Sequence, residues 1–191
     1  MEVRHLRGGF CYTILQMEDT RNVMDEYKGM PHDAIVSALD KTGSSLEIAV
    51  DNVERDFNMG TIIRSANAFG VRHVHIIGRR QWNKRGAMMT DKYLHVHYYS
   101  DVEEFMQAIA GKTLLAIDNV EGSIALENAE LPLNSVLLFG AEGPGIRPEL
   151  LKHAAFIVKI QQYGSTRSLN VGVAAGVVMY EWTRRNKPKL V

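Results

Sequence analysis

From Leu46 onward the spacing of apolar positions changes repeatedly, with short runs of β-forming residues alternating with stretches of helical period. Strands are predicted at Leu46–Val50, His73–Ile77, Leu94–Tyr98, Thr113–Ile117, Val136–Phe139 and Phe156–Ile160. Helices are predicted at Thr61–Phe69, Val102–Ala110, Pro148–His153 and from about Leu169 to Arg185. Alternation of this kind predicts an α/β fold, a mostly parallel sheet flanked by helices on both faces. Gly70 follows Ile62, Ile63, Ala66 and Phe69 as a helix stop, and Ser168 reads as the N-cap of the last helix. In that helix Gly172 and Gly176 lie four apart on one face, at a cost of ~1 kcal/mol each relative to alanine. Two glycines so placed imply close backbone approach, by the sheet or by a partner subunit.

Before residue 45 the pattern is different. A short helix is predicted around Asp33–Leu39, where Ile35, Val36 and Leu39 form an apolar face, and the turn-rich Lys41–Ser45 closes the stretch. The chain thus divides into an N-terminal extension, 1–45, and one α/β domain, 46–191, a size that suits the ~100–200 residues usual for a domain.

Composition narrows the chemistry. The 191 residues carry 22 basic and 22 acidic side chains, so any polyanion site must be local rather than global. One stretch qualifies: Arg72, Arg79, Arg80, Lys84 and Arg85 precede Thr90 without an intervening acid, and Trp82 lies among them. Cations can neutralise phosphates there and the ring can stack on a base; the bland alternative is an ordinary solvated loop. Cys11 is the only cysteine, which excludes an intrachain disulfide and a multi-cysteine metal cage. His73/His75 and His95/His97 share strand faces pairwise but lack the accompanying ligand pattern of a metal motif, so no metal is expected. No apolar run approaches the ~20 residues that cross a bilayer, and the reading is a soluble, cytoplasmic protein without membrane contact.

Ligands of open α/β sheets bind at the carboxyl ends of strands, and three loops there are unusual. The first runs from Asp51 to Gly60 into a helix carrying Arg64 among apolar neighbours, where the arginine either snorkels, pairs with an acid, or serves a ligand. The second is Gly140-Ala141-Glu142-Gly143-Pro144-Gly145, which matches neither a dinucleotide fingerprint nor a P-loop; Glu142 is a solvated acid or an acceptor for ligand donors. The third is Tyr163-Gly164-Ser165-Thr166-Arg167-Ser168-Leu169-Asn170, where an asparagine early in a helix is unfavourable unless its amide is used. No Gly-x-Ser-x-Gly elbow is present for a serine hydrolase.

Together these loops resemble the three ordered motifs of the SpoU/TrmH family of RNA ribose 2′-O-methyltransferases, in the SPOUT superfamily. The first motif is similar to Asn58-Met59-Gly60 through Arg64 to Phe69-Gly70, the second to Phe139-Gly140-Ala141-Glu142-Gly143-Pro144-Gly145-Ile146, and the third to Ile160 through Ser168-Leu169-Asn170 to Gly176. The match spans Leu46 to Arg185, about three-quarters of the chain. It implies a SPOUT-type fold with a C-terminal trefoil knot, a topology that general folding rules alone would reject. It also implies a homodimer with the last helix near the interface, and S-adenosylmethionine (AdoMet) held chiefly by backbone groups at Ile117, Gly140, Ile160 and Leu169.

The family pattern places the catalytic arginine at Arg64, with Asn58, Glu142, Ser168 and Asn170 around it. The resulting expectation is methyl transfer to a ribose 2′-hydroxyl of tRNA or rRNA, with Arg79, Arg80, Lys84 and Arg85 contacting the RNA. A ribose hydroxyl is a poor nucleophile that must be oriented and relieved of its proton, and free arginine, with a pKa above ~12, is an unpromising base; Arg64 acts in a special environment or clamps phosphate and hydroxyl. The alternative reading is a non-catalytic RNA-binding or RNA-assembly protein that keeps the knotted fold. Two departures stand out. The third motif reads Ile160-Gln161-Gln162 where the family usually has Ile-Pro-Met, and about 45 residues stand where several relatives carry a separate RNA-binding domain.

Overall fold

The computed structural model describes residues 19–52, 58–141 and 143–186. After a 3-10 turn at Asp25–Tyr27 come α1 (His32–Thr42), β1 (Glu47–Asn52), α2 (Met59–Ala68) and β2 (His73–Gly78). Two further 3-10 turns, Lys84–Ala87 and Thr90–Tyr93, lead to β3 (His95–Tyr99), α3 (Val102–Ala108), β4 (Thr113–Ile117) and the two-residue β5 (Ile124–Ala125). The chain continues through β6 (Ser135–Phe139), α4 (Pro148–Leu151) and β7 (Phe156–Lys159) to α5 (Val171–Asn186).

All seven strands join one sheet in the order β3-β2-β1-β6-β4-β7-β5, and every ladder pairs in parallel. β1 and β6 are buried at every position, as inner strands covered on both faces must be. Side chains alternate between two cores. Ile48, Val50, Leu137 and Phe139 pack with Ile62, Val178 and Trp182 of α2 and α5, whereas Ala49, Val136 and Leu138 pack with Phe105 and Leu150 of α3 and α4.

Helix ends follow local chemistry. At the end of α2, Gly70 adopts φ +72°, a left-handed conformation that lets the Val71 amide return to the Ala66 carbonyl at 3.0 Å. The last helix begins at Val171, later than its apolar pattern predicts, and Ser168 is not its cap. Asn170 takes that role: its Oδ1 accepts from the Val173 amide at 3.2 Å, and its main-chain carbonyl accepts from Ala174 at 2.9 Å. Asparagine caps at least as well as serine, so the helix starts at the residue whose side chain meets the free amide. Further along α5, Trp182 Nε1 donates to the Pro132 carbonyl, and Arg185 Nη1 and Nη2 donate to the carbonyls of Ala129 and Leu126. These bonds fasten the helix to the segment between β5 and β6.

The histidines form a ladder at the amino-terminal edge of the sheet. Rings of His95 and His73 stack at 5.1 Å, His73 and His97 at 5.3 Å, and His97 and His75 at 5.2 Å. His73 Nδ1 and His97 Nε2 share a hydrogen bond at 3.0 Å, while the outer rings meet carboxylates: His95 with Asp40, His75 with Glu47, each at 2.9 Å. A carboxylate only accepts, so His75 Nε2 carries a proton there and, in the neutral ring, Nδ1 accepts from the Tyr99 hydroxyl at 2.9 Å. Asp40 also accepts from Arg72 Nε at 2.8 Å, which fastens α1 to the sheet. Arg72 is therefore a buried structural cation and not a member of the exposed basic loop. Among the described residues no group of three or more His, Cys, Asp or Glu side chains is placed to hold a metal ion, and no helix is long and apolar enough to cross a membrane.

Burial foremost, reinforced by the neighbouring imidazoles, holds His73 and His97 below the ordinary histidine value; at His73 Glu47 pulls the other way without prevailing. For Glu47, burial pushes upward but hydrogen bonds from His75 and Lys112 outweigh it and hold the carboxyl at about 2. A base whose folded pKa is depressed contributes stability that is complete above its unfolded value of ~6.5 and declines as pH falls through the folded pKa. Denaturant midpoints are therefore expected to fall as pH drops from 7.5 to 5, with a further loss below ~4.5 as Glu47 resists protonation in the fold and not in the unfolded chain. His97→Gln, which removes one titrating ring, is expected to flatten the first segment of that profile.

Candidate functional site

β4, β6 and β7 deliver their chain at one end of the sheet, and the loops beyond them, with the lead-in to α5, enclose a cavity of about 380 Å³. That volume falls within the ~300–1,000 Å³ usual for small-molecule sites. Ile117, Gly140, Ile160 and Leu169 all line it, as do Ser168 and Asn170. Asn58 and Arg64 lie outside the lining, on and before α2, and Glu142 lies outside the described residues.

The second loop is held by its own backbone. The Gly145 amide donates to the Ala141 carbonyl at 3.1 Å, and the two residues form an isolated bridge. A Cβ on Gly140 would land on the backbone of Gly145 and Ile146, so glycine is required there by the turn closing on itself. Behind the turn, the Asp51 carboxylate at the end of β1 is completely buried and accepts from the Arg147 amide at 3.0 Å and from its Nε at 2.8 Å. The hydrogen-bonded carboxylate in turn raises the pKa of Arg147. First and second loops are thus pinned to each other by one ion pair.

The third loop is tied to the first by amides. Asn170 Nδ2 donates to Asn58 Oδ1 at 2.9 Å, across 112 residues of sequence. Asn170 therefore caps α5 with one side-chain atom and holds the entrance of α2 with the other. Gly172 faces α2 as well, where an added Cβ would lie 3.0 Å from Thr61 Cγ2. Of the two glycines in α5, this one serves helix–helix packing within the chain, whereas nothing lies within 4 Å of a Cβ built on Gly176.

Arg64 projects from α2 into solvent, and its guanidinium has neither hydrogen bond nor ion pair among the described residues. A structural pairing with an acid is thereby set aside within that part of the molecule. The basic loop lies against the same helix: buried Gly60 lets the Gly86–Ala87 backbone approach so closely that a Cβ on Gly60 would be 2.7 Å from the Ala87 amide nitrogen. Arg79, Arg80, Lys84 and Arg85 are exposed, but Lys84 pairs with Asp91 at 2.9 Å, an acid just beyond the stretch that looked acid-free. Trp82 does not offer an open ring. It packs on the core, donates toward the Tyr98 hydroxyl at 3.4 Å and carries Lys84 Nζ 5.3 Å from its centroid.

Sequence reasoning passed over Asp118 and Asn119, which line the cavity directly after β4. The rule that ligands collect at the carboxyl ends of strands reaches them. Asp51 and Arg147 were also missed, and no local pattern marks them, since 96 residues separate the partners.

The SpoU rRNA Methylase family model matches residues 45–180. An uncharacterized tRNA/rRNA methyltransferase of Archaeoglobus fulgidus is 34% identical over 151 residues, covering 75% of this chain and 66% of the relative. A 23S rRNA (guanosine-2′-O-)-methyltransferase of Coxiella burnetii is 28% identical, covering 85% and 68%. Among solved structures, the Aquifex aeolicus TrmH/SpoU tRNA modifying enzyme shares the fold with a TM-score of 0.72 at 24% identity, covering 82% of each chain. An AdoMet-bound rRNA methyltransferase from Sinorhizobium meliloti gives a TM-score of 0.66 at 27% identity, over 75% of this chain and 57% of that one. The parallel sheet, the cavity built by the chain after β4, β6 and β7, and a family match over most of the chain agree, and the protein belongs to the SpoU rRNA methylase family.

Proposed function

We propose that this protein is an AdoMet-dependent RNA methyltransferase that acts on a ribose 2′-hydroxyl of tRNA or rRNA. The observation that carries the reading is the meeting of all three motif loops at one place, with Asn170 bonded to Asn58 at the entrance of the helix that presents Arg64. Two relatives support the substrate class by their names, the 23S rRNA (guanosine-2′-O-)-methyltransferase of Coxiella burnetii and a tRNA (guanosine(18)-2′-O)-methyltransferase of Thermus thermophilus.

The cavity suits the cofactor. Its wall is backbone of the glycine turn together with apolar side chains such as Ile117, Phe139 and Leu169, and Asp118 and Lys159 are the charged residues among its described lining. Such a lining accepts a purine against its apolar side chains, and the Asp118 carboxylate is a counter-charge for a cationic centre. Ile117, Gly140, Ile160 and Leu169 would hold the group, which supplies an electrophilic methyl on a sulfonium. For the RNA, Arg64 offers a planar fork able to hold phosphate and hydroxyl together, and this fixes the angle of attack. Ser168, Asn170, Asn58 and Glu142 complete the proposed reaction site, and Arg79, Arg80, Lys84 and Arg85 the outer RNA contact.

Assembly belongs to the same proposal. Val173, Val177 and Tyr180, exposed by 54, 38 and 58%, recur at helical spacing along α5 with open Gly176 between them. We assign this stripe to a two-fold contact between copies of the chain. The trefoil knot is proposed too, supported by the insertion of β7 between β4 and the earlier β5 and by the likeness to the Aquifex enzyme.

Calorimetry tests the cofactor site: Gly140→Ala is expected to abolish AdoMet binding in a folded protein, because even one methyl opens the turn. Arg64→Ala is expected to stay folded and AdoMet-competent while methyl transfer, read by nucleoside mass spectrometry, falls by ~10²–10⁴-fold. Transfer at the wild-type rate would favour the non-catalytic RNA-binding alternative. Light scattering is expected to find a dimer in the wild type and a monomer in Val177→Glu/Tyr180→Glu.

A further inference from the structure

The basic loop supplies charge without a free aromatic face, since the Trp82 ring is occupied on the core side and by Lys84. The most exposed large apolar side chain among the described residues lies elsewhere. Tyr163, 91% exposed, stands in the third loop, beside the cavity that Gln162 and Ser168 help to line. A single exposed ring is common on protein surfaces and means little alone. Its surroundings are more specific. Residues 163–168 are all exposed, they include Arg167 and three hydroxyl-bearing side chains, Tyr163 aside, in Ser165, Thr166 and Ser168, and no acid occurs between Lys159 and Tyr180.

Arg167 is anchored by its backbone and open at its head. Its main-chain carbonyl accepts from Asn119 Nδ2 at 3.1 Å, which ties that end of the loop to the chain after β4. Among the described residues its guanidinium meets no acid and makes no hydrogen bond. An open ring, a tethered but unpaired guanidinium and an acid-free polar loop at a cavity mouth match the needs of one ligand class, an unstacked nucleotide strand. Ring faces take bases only when these are splayed from a helix, and the cation takes the phosphate between them.

We propose that Tyr163 and Arg167 form a clamp for single-stranded RNA at the mouth of the cavity. The Tyr163 ring stacks on a base beside the target nucleotide, and Arg167 holds its phosphate. This inference rests on the methyltransferase reading, and it adds a selection for unpaired target segments that the basic loop cannot provide.

The test compares Tyr163→Ala, Tyr163→Phe and Arg167→Ala with the wild type, using AdoMet and total RNA from a strain deleted for this gene. Tyr163→Ala is expected to raise the KM for RNA by roughly tenfold or more, with AdoMet affinity, dimer mass and kcat at saturating RNA unchanged. Tyr163→Phe is expected to behave as wild type, because stacking needs the ring and not the hydroxyl. Arg167→Ala is expected to weaken binding and to reduce the slope of log K against log salt by about 1. Wild-type KM in Tyr163→Ala, an equal loss in Tyr163→Phe, or a change in dimer mass would each overturn the clamp. If the wild type transfers no methyl to any RNA, the methyltransferase reading fails, and equilibrium binding of the same variants to total tRNA still decides on the clamp: equal affinities would refute it.

Discussion

A carboxylate with no access to water lies at the carboxyl end of an inner strand, and the geometry of the cavity depends on what holds it there. Asp51 is fully buried, and an ionised group in that position is tolerated only when its lone pairs are filled. Arg147 fills them with its amide and its guanidinium. Removing one partner of such a pair costs about 3–5 kcal/mol, whereas replacing both with apolar groups is often neutral, so the pair contributes little to net stability compared with what it does for position. It fixes the exit of β1 against the turn after β6, and so sets where the glycine turn that walls the cavity stands relative to the first loop.

The sheet separates stability from chemistry by its two edges. At the carboxyl edge the contacts are glycine turns and side-chain amides that leave donors and space for ligands. At the amino edge Asp40, Arg72, Glu47, Lys112 and the four stacked histidines are paired with one another, so most of their hydrogen bonds are used inside the protein. A parallel sheet makes this division natural, because all its strands end on the same side and the loops that follow are the ones free to vary.

The fold was largely legible because inner strands read as continuous apolar runs and helices as periodic ones. The two-residue β5 and the three 3-10 turns escaped, being too short to show a period. The start of α5 was misread for a specific reason: Ser168 and Asn170 are both good caps, and the choice between them depends on Asn58, which no local window contains. Cavity residues were named from motif order, not from propensity, and Asp51 with Arg147 stayed hidden because a long-range ion pair leaves no trace in local spacing. Trp82 was misjudged in the opposite sense, since an aromatic among arginines looks available until the core is seen to claim it.

A chain with 22 cations and 22 anions gains little from long-range attraction to RNA, so selection has to come from short-range fit. Several of the cations are already committed within the protein. Arg72, Arg147 and Arg185 are committed to a carboxylate or to backbone carbonyls, and Lys84 shares its charge with Asp91. Arg64 on α2 and Arg167 in the third loop remain uncommitted among the described residues, as do Arg79 and Arg85 of the basic loop, and the Asn58–Asn170 bond joins the two elements that carry the first pair. In the proposed reaction that bond does more than hold a helix end, because it sets the separation between the guanidinium that orients the ribose and the loop that receives the neighbouring nucleotide.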